Sequence, residues 1–372
     1  MSGPDEREAW IRLAHAVEPG DAATGAWLSR FGPIEALARL DHGDAQGQNG
    51  RRSPLEGLRA RLRDAPDDAA SAASRVGARI ITRVDAEWPT QLADLGDRQP
   101  CALWVAGAGS LRLLALRSIA LVGARAATPY GEGVARAWAA QLAGEGWTIV
   151  SGCAFGIDAA AHRGALEADG VTVAVLASGV DVAYPRAHEA LLARILDSGL
   201  IVSEVPPGES ARRQRFLARN RVIAALTRAT VVVEAAARSG TSATARAAGD
   251  LGREVLAVPG PVTSAASAGC HRMIHDGDAR IALDWTGVLD AVQPARCPSA
   301  PTARTARDDL GERELRVLDA LPRRGGRDVE QVMAACGLGH VDVLSALGLL
   351  QAGGWAERGD AGWRATPAGC AA

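Results

Sequence analysis

A cysteine, an aspartate and a histidine stand close together in the segment SGCAFGIDAAAH. These residue types are compatible with nucleophilic catalysis, with Cys153 as the thiolate and His162 as its general base. The two residues are separated along the chain, however, and Cys153 lies between the small residues Gly152 and Ala154. A cysteine in a tight turn of small residues is commonly a packing residue. The segment therefore does not favour a catalytic cysteine.

The same segment fits a second chemistry, the binding of a phosphate by backbone amides. Gly152 and Gly156 follow an apolar run and precede a helical pattern, so N–H groups are exposed at a helix N-terminus whose dipole favours an anion. Asp158 is predicted to cap that helix. Such turns are also ordinary connections in α/β folds, but several of them on one sheet predict a continuous anion-binding rim. The matching residues after two other apolar runs are Gly123, Arg125, Ser239, Gly240 and Thr241.

The densest basic cluster of the chain is ARRQRFLARNRVIAAL, which contains five arginines, one phenylalanine and one asparagine. An aromatic ring among guanidinium groups suits single-stranded nucleic acid, because the ring stacks on a base while the arginines contact phosphates. Two other interpretations stay open at this point: a solvated helix face, and a core position for Phe216. The candidate contact residues of this segment are Arg213, Phe216, Arg219, Asn220 and Arg221.

Six apolar runs predict the elements that position these side chains: SIALVGAR, WTIVSG, VTVAVLASG, GLIVSE, TVVVEA and REVLAVPG. They are rich in Val, Ile and Leu rather than alternating, which indicates strands buried on both faces of a parallel sheet. Helical stretches alternate with them, and this alternation predicts a doubly wound α/β domain. Ligands of such domains bind at the carboxyl ends of the strands. The upstream run CALWVAG is expected to add an edge strand.

The flanking regions differ from this pattern. AWIRLAHAV and GAWLSRFGPIEALARL predict short amphipathic helices, with the second segment divided into two helices at Gly32-Pro33. They form either a packing module or a helix-hairpin-helix that contacts nucleic acid. Towards the C-terminus, three helical segments and a hairpin with a Gly-Asp-Ala-Gly tip outline a winged helix. Its recognition helix contains no arginine, which favours protein contact over duplex reading. The predicted division is a helical domain at 1–80, the sheet domain at 81–292, a linker at 293–309 and the winged-helix domain at 310–372.

The composition and charge of the chain argue against several kinds of protein and binding site. The chain of 372 residues is 48% hydrophobic and carries a formal net charge of −2, which argues against a protein that coats nucleic acid with its whole surface. All 41 basic residues are arginine, so a phosphate contact must come from a guanidinium group or from the backbone. The scattered cysteines predict neither a zinc site nor a disulfide framework. Because the N-terminus is polar and no apolar run approaches about 18 residues, we expect a cytosolic protein.

Eight ordered motifs resemble the DNA-processing protein A (DprA/Smf) family over roughly residues 84–291: VGARAATPYG, SGCAFGIDAAAH, AVLASGVDVAYPRAHEAL, SEVPPG, FLARNRVIAAL, VVVEAAARSGTSATA, VLAVPG and GCHRMIHDGDA. The resemblance implies an extended Rossmann-like parallel sheet with a small helical N-terminal domain and a C-terminal winged-helix domain. It also implies a cytoplasmic dimer that binds single-stranded DNA, protects incoming strands during natural transformation and helps to load the RecA recombinase. It implies no enzymatic activity, cofactor, metal or membrane association.

The resemblance also assigns roles to single residues. Arg125 corresponds to a basic residue of the family, and Arg213 and Phe216 stand where a basic residue and a base-stacking aromatic residue are expected. The other correspondences are Ser151, Gly152, Ala154, Gly156 and Asp158 in a Ser-Gly-x-Ala-x-Gly-Ile-Asp loop, Arg219, Asn220 and Arg221 in an Arg-Asn-Arg motif, and Arg238 before the Ser239-Gly240 turn.

Three positions depart from the family pattern. Leu217 replaces a proline, and His271 replaces an asparagine. Asp278 replaces an alanine and puts an acid near the predicted anion rim.

The enzyme alternative is a Rossmann-like nucleotide phosphoribohydrolase, which the sheet domain also resembles. That family carries a Pro-Gly-Gly-x-Gly-Thr loop followed by a catalytic glutamate. The matching stretch here reads RSGTSATA, and no carboxylate follows it within the first helical turn, so the acid–base group is missing. Dinucleotide binding is disfavoured because VGARAATPYG lacks the G-x-G-x-x-G spacing. The recognition helix, which has no arginine, disfavours a winged-helix transcription factor.

Overall fold

The computed structural model describes residues 4–42, 54–64, 66, 68–237, 240–293 and 310–367. The chain divides into two compact units, Met1–Pro294 and Ala295–Ala372. The polar segment 43–53, Arg238, Ser239 and all but the first residue of the predicted linker lie outside the described residues. The domain boundaries inferred from the sequence stay predictions.

A nine-stranded sheet forms the centre of the first unit. Its strands are β1 (Ala78–Thr82), β2 (Ala102–Ala106), β3 (Ser118–Val122), β4 (Thr148–Ser151), β5 (Thr172–Leu176), β6 (Leu200–Ser203), β7 (Ala229–Val232), β8 (Glu254–Ala257) and β9 (Arg280–Ile281). Their spatial order is β1-β2-β6-β5-β4-β3-β7-β8-β9. The pairs β1–β2 and β2–β6 are antiparallel, and the other neighbours are parallel. The six apolar runs form β3 to β8, which confirms the predicted large, mostly parallel sheet.

Helices precede and connect these strands. They are α1 (Pro4–Ala16), α2 (Ala22–His42), α3 (Pro54–Arg63), α4 (Ala69–Arg75), α5 (Leu111–Leu116), α6 (Pro129–Gly144), α7 (Ile157–Glu167), α8 (Glu189–Ser198), α9 (Arg213–Leu226), α10 (Thr241–Asp250), α11 (Ala268–His275) and α12 (Trp285–Val292). Short 3₁₀ segments span Thr90–Arg98 and Arg186–His188.

The central strands are buried on both faces. Ile119 and Leu121 of β3 pack in one apolar cluster with residues of α6 and α7. The alternate residues Ala120 and Val122 pack in another cluster with residues of α9 and α10. Since both faces are covered, every side chain of the strand is apolar or small, which explains why the sequence shows continuous runs instead of alternation.

The N-terminal helices belong to the same compact unit as the sheet. Trp10 and Leu13 of α1 are buried in one cluster with Trp104 of β2, so these helices cover part of a sheet face. The helix α2 is interrupted at Gly32, whose φ is 72°, directly before Pro33. This interruption matches the helix break expected at Gly-Pro, because proline disfavours a helical conformation in the residue before it.

The expected edge strand CALWVAG is not at the edge. It forms β2, and the edge position is taken by β1, whose sequence ARIIT was not predicted as a strand. The register pairs Ile80 with Trp104, and both side chains are buried in one cluster with residues of the N-terminal helices. The N-terminal helices therefore cover Ile80 of this edge strand, while Ile81 packs in the other cluster with Trp88 and Leu92.

The second unit contains α13 (Glu312–Ala320), α14 (Val329–Cys336), α15 (His340–Ala352) and a hairpin of β10 (Ala356–Gly359) and β11 (Gly362–Ala365). Val317, Leu347 and Trp363 share its apolar core. These elements occur in the order that the sequence indicated, and their identification as a winged helix stays a prediction. Among the described residues no single helix is long and apolar enough to cross a membrane, although α14 and α15, bent by 104°, meet that criterion as a pair.

The strand order creates a crevice at one edge of the sheet. The chain moves from β3 outward to β4, β5 and β6, then returns to the other side of β3 to form β7. Connections therefore leave β3 and β7 in opposite directions at their carboxyl ends, and this switch point is where doubly wound sheets bind ligands.

Candidate nucleic-acid interface

A cleft of about 380 Å³ opens at this switch point. It combines the end of β3, the turn after β4, one side of α9 and the N-terminus of α10. Its lining includes Gly123, Arg125, Ala154, Asp158, Phe216, Arg219, Asn220, Gly240 and Thr241. The structure thus brings together candidate residues from four separate motifs of the sequence.

The turn after β3 is held by close backbone contacts. Ala124 donates its N–H to Glu234 O at 2.7 Å, which joins the ends of β3 and β7. A Cβ added to Gly123 would lie 2.5 Å from Ile157 Cγ1 and 3.0 Å from Glu234 O. A residue without a Cβ is therefore needed at Gly123, because α7 and the end of β7 pack directly against the turn.

The turn after β4 is already occupied by a carboxylate of the chain itself. Asp158 Oδ2 accepts N–H groups from Gly152 at 3.1 Å and from Ala154 at 3.3 Å. The predicted cap role is wrong, because Gly156 is the N-cap residue of α7 and Asp158 lies inside the first turn. The amide of Gly152, predicted to receive a phosphate, is used by this internal anion.

Ser151 and Gly156 also serve the framework. Ser151 is fully buried, and its hydroxyl donates to Leu121 O at 2.6 Å. Gly156 has a φ of 72°, and a Cβ there would lie 2.7 Å from Arg125 O. The turns after β3 and β4 are thus packed together at this glycine, which fixes the backbone that carries Arg125.

Arg219 points into the protein rather than out of the cleft. Its Nη1 donates to Gly152 O at 2.7 Å and also to Val175 O. Burial raises the pKa of Asp158, and the Arg219 guanidinium opposes that rise; burial also lowers the pKa of Arg219. The predicted direct contact of this residue with DNA is replaced by a supporting role, since its donors hold the turn after β4.

Arg221 and Arg215 are buried for a similar reason. The two Nη atoms of Arg221 each donate to one Glu204 carboxylate oxygen at 2.7 Å, and Nε donates to Arg98 O at 2.8 Å. Arg215 pairs with Glu209 at 2.9 Å. Arg221 was predicted as a DNA contact, and the structure places it in the interior, because every residue of α9 from Arg221 to Leu226 is buried.

The exposed rim of the cleft combines a guanidinium group with two aromatic rings. Arg125 lies with its Cζ 4.8 Å from the centroid of the Phe216 ring. Tyr184, from the loop after β5, places its ring centroid 5.2 Å from that of Phe216. Phe216 is therefore neither free in solvent nor a core residue, but part of a cluster at the mouth of the cleft.

The opposite wall is formed by the start of α10. Asn220 Nδ2 lies 3.5 Å from Gly240 O, which links α9 to this helix. Gly240 is the N-cap residue and has no side chain, so the N-cap position itself supplies no side-chain hydrogen bond to the first amides of α10. Thr241 follows as the first helical residue. Arg238 and Ser239, which the sequence assigned to the same turn, lie outside the described residues.

Arg213 is the one predicted contact residue of α9 that is exposed without lining the cleft. It is the first residue of the helix, one turn before Phe216. The candidate arginines of α9 thus divide into an exposed one at the helix start and buried ones further along.

The cysteine chemistry considered for this segment is not supported. Burial raises the pKa of Cys153 to about 12, so the thiolate is disfavoured. His162 Nδ1 lies 2.7 Å from Thr172 Oγ1, and burial lowers the pKa of His162 to about 3. The imidazole next to the Cys153 sulfur belongs to His188 instead, at 3.8 Å.

Two departures from the family pattern lie away from the cleft. His271 Nε2 contacts Gly260 O at 3.0 Å, so the ring braces the loop after β8. Asp278 is exposed and does not line the cleft. The third, Leu217, does line it.

Tyr184 is the rim residue that sequence reasoning missed. It lies in the motif AVLASGVDVAYPRAHEAL, which was used only for the family resemblance. A usable signal was present, because the chain has two tyrosines and this one lies five residues after the predicted strand VTVAVLASG. Aromatic residues just after buried strands fall at the edge where ligands bind.

The carboxylates near the cleft are already engaged. Besides Asp158, Glu234 is 2% exposed and accepts the N–H of Thr128 at 2.9 Å and its hydroxyl at 2.6 Å. Within the described parts of the chain, no group of three or more His, Cys, Asp or Glu residues is arranged to hold a metal ion.

The chain is similar to known proteins over most of its length. Residues 79–293 match the model of the family described as DNA recombination-mediator protein A. The chain is 42% identical to the putative DNA processing protein DprA of Mycobacterium tuberculosis, over 99% of this chain and 96% of that protein. It is 37% identical to the protein Smf of Escherichia coli, over 72% of each chain.

Solved structures similar to the chain include two of DNA processing protein A. DNA processing protein A from Streptococcus pneumoniae gives a TM-score of 0.64 at 30% identity and covers 78% of this chain and 99% of that one. DNA processing protein A from Helicobacter pylori, in a structure concerned with its single-stranded DNA binding mode, gives a TM-score of 0.52 at 25% identity and covers 59% and 98%.

Proposed function

Since this chain belongs to the DNA recombination-mediator protein A family of DNA-processing proteins, we propose that it binds single-stranded DNA along the cleft at the carboxyl edge of its sheet. The observation that carries the proposal is the cluster of Arg125 and Phe216, 4.8 Å apart, at the mouth of that cleft. A guanidinium group beside a ring offers a phosphate contact and a stacking surface at one place.

The chemistry of the rim favours unpaired strands over duplexes. A ring stacks on the face of a base, and in a duplex those faces are covered by neighbouring base pairs. Stacking contributes about 1–3 kcal/mol per base with little dependence on sequence. The DNA partner of this site is therefore a single strand of any composition, and its phosphates meet Arg125, Arg213 and the amides at the start of α10. Arg238 and the Ser239 turn are proposed as further phosphate contacts next to Gly240.

The buried arginines act as positioning residues in this proposal. Arg219 holds the turn after β4, and Arg221 ties α9 to Glu204. Both contacts fix the helix that carries Phe216 and Asn220. A rim whose side chains are already held in place loses less conformational entropy when a strand binds than a rim that becomes ordered on binding.

We test the proposal by measuring binding of the full chain to labelled single-stranded and duplex DNA of equal length. We expect the single strand to bind more tightly. If about four phosphates are neutralised, log affinity falls with log salt with a slope of about −3 for the single strand. Equal affinity for both forms, or a slope near zero, contradicts the proposal.

The cellular role follows the family. We propose that the protein is a cytoplasmic homodimer that protects incoming single strands and helps to load RecA on them during natural transformation and recombination. The test is a RecA filament assay on single strands coated with single-strand-binding protein: addition of the full chain is expected to shorten the lag. Light scattering of the full chain measures whether it is a dimer.

We propose a binding protein rather than an enzyme. A phosphoribohydrolase needs a carboxylate free to exchange a proton at the sugar. Asp158 and Glu234 are held by backbone and hydroxyl donors instead. Incubation with nucleoside monophosphates is expected to release no free base, and release of base would support the enzyme alternative.

A further inference from the structure

The aromatic surface available at the rim belongs mainly to Tyr184. This residue is 47% exposed, whereas Phe216 is half-buried. Arg125 lies against the Phe216 ring and Tyr184 packs beside it. An incoming base therefore meets the Tyr184 ring first, because the phenylalanine is partly covered.

Exposed aromatic residues are concentrated at this edge of the sheet. In the described parts of the chain, Tyr130, Phe155 and Tyr184 are the aromatic residues classed as exposed. They follow the carboxyl ends of β3, β4 and β5 respectively. Large exposed aromatic surface costs stability in water, so its placement on the ligand-binding edge points to contact with a ligand.

The loop that carries Tyr184 is anchored on both sides of it. Before it, the Ser178 hydroxyl donates to Val182 O at 2.8 Å, and Asp181 Oδ1 accepts the N–H of Gly208 at 2.9 Å. After it, the buried His188 lies with Nδ1 3.0 Å from Cys153 O. The loop is held in place by these contacts, while the exposed ring takes no part in them.

We propose that Tyr184 is a second base-stacking residue, which holds the base next to the one on Phe216. The inference rests on the proposed binding of single-stranded DNA and adds a subsite to it. The two ring centroids are 5.2 Å apart and their planes are tilted by 54°. The rings therefore present differently oriented faces, and two neighbouring bases must be splayed apart to use both. An unpaired strand permits this, and a duplex does not.

The test compares Tyr184→Ala, Tyr184→Phe and Phe216→Ala in the full chain. The probes are an oligothymidylate and an abasic oligonucleotide of the same length. Tyr184→Ala is expected to weaken oligothymidylate binding by about 5- to 150-fold, the range of one stacked base. Tyr184→Phe is expected to retain the affinity of the unaltered protein. On the abasic probe, Tyr184→Ala and the unaltered protein are expected to bind equally, because that probe has no base to stack.

Leu196→Ala provides the matched control. Leu196 is 40% exposed near the end of α8, at the opposite edge of the sheet, and its loss is expected to leave both affinities unchanged. Equal weakening of both probes by Tyr184→Ala would show that the residue acts through loop structure and would overturn the inference. The inference would also be overturned if Tyr184→Ala kept full affinity for oligothymidylate while Phe216→Ala weakened binding. That result would leave the proposed function intact. An unaltered protein that binds no single strand would remove the proposed function itself.

Discussion

The Arg125 guanidinium lies 4.8 Å from the centroid of the Phe216 ring, although the two residues are far apart in the sequence. Arg125 follows β3, and Phe216 lies in α9, which precedes β7. Because β3 and β6 are parallel strands of one sheet and α9 begins after the carboxyl end of β6, both residues reach the same edge. This pair joins the charge of Arg125 and the aromatic surface of Phe216 at the mouth of the cleft.

Replacing Arg125 with glutamine is expected to reduce the salt dependence of single-strand binding. If Arg125 neutralises one phosphate, its loss lowers the magnitude of the slope of log affinity against log salt by about 0.7. The measurement is a titration of the full chain with labelled oligothymidylate at several salt concentrations. An unchanged slope would assign Arg125 only to packing against Phe216.

Replacing Phe216 with alanine is expected to weaken single-strand binding by about 1–3 kcal/mol. The salt slope is expected to stay constant, because a neutral ring releases no counterion from the DNA. Fluorescence anisotropy at two salt concentrations separates these effects. A slope that falls with the affinity would show that the substitution displaces Arg125.

Replacing Arg219 with methionine is expected to lower the free energy of unfolding by about 1–3 kcal/mol, since it leaves the buried Gly152 O and Val175 O without their donor. The measurement is urea unfolding followed by circular dichroism. The matched control is Arg213→Met, an exposed site where a change within about 0.5 kcal/mol is expected. Equal effects of both substitutions would contradict the division of these arginines into buried and exposed groups.

Stability is expected to fall as the pH drops from about 6.5 towards 3, in part because of His162. Its pKa is lowered by burial from 6.5 to about 3, so in this window the unfolded chain binds a proton that the folded protein does not. Each pH unit then costs about 1.4 kcal/mol of unfolding free energy from this group. The measurement is the difference in pH dependence between the protein and His162→Asn, in which the amide N–H replaces the donor to Thr172. Parallel curves would show that His162 is not responsible.

Much of the framework was predictable from local patterns. Six continuous apolar runs identified β3 to β8, because a strand covered on both faces needs apolar residues throughout. The break of α2 at Gly32-Pro33 was predictable, because the steric effect of a proline acts on the residue directly before it. The edge strand β1 was missed, since five residues shielded by distant helices carry no periodic signal of their own.

The candidate site was predictable as a set of motifs but not as a set of contacts. Arg213, Arg219 and Arg221 look equivalent in ARRQRFLARNRVIAAL. In the helix they point in different directions: Arg213 is exposed, while Arg219 holds the turn after β4 and Arg221 pairs with Glu204. Helical geometry assigns positions to faces, but which face lies against the sheet depends on how α9 packs.

The sequence by itself determined the parallel sheet, the edge that carries the candidate site and the family, since these depend on hydrophobic pattern and on short motifs whose order is preserved along the chain. Only the tertiary structure decided that the Gly152 turn is filled by Asp158, that most arginines of α9 are internal, and that Tyr184 joins Phe216 and Arg125 at the rim. The physical reason is that burial and pairing are set by residues distant in sequence: the same guanidinium group is a phosphate contact in solvent and a structural donor beside a buried carboxylate.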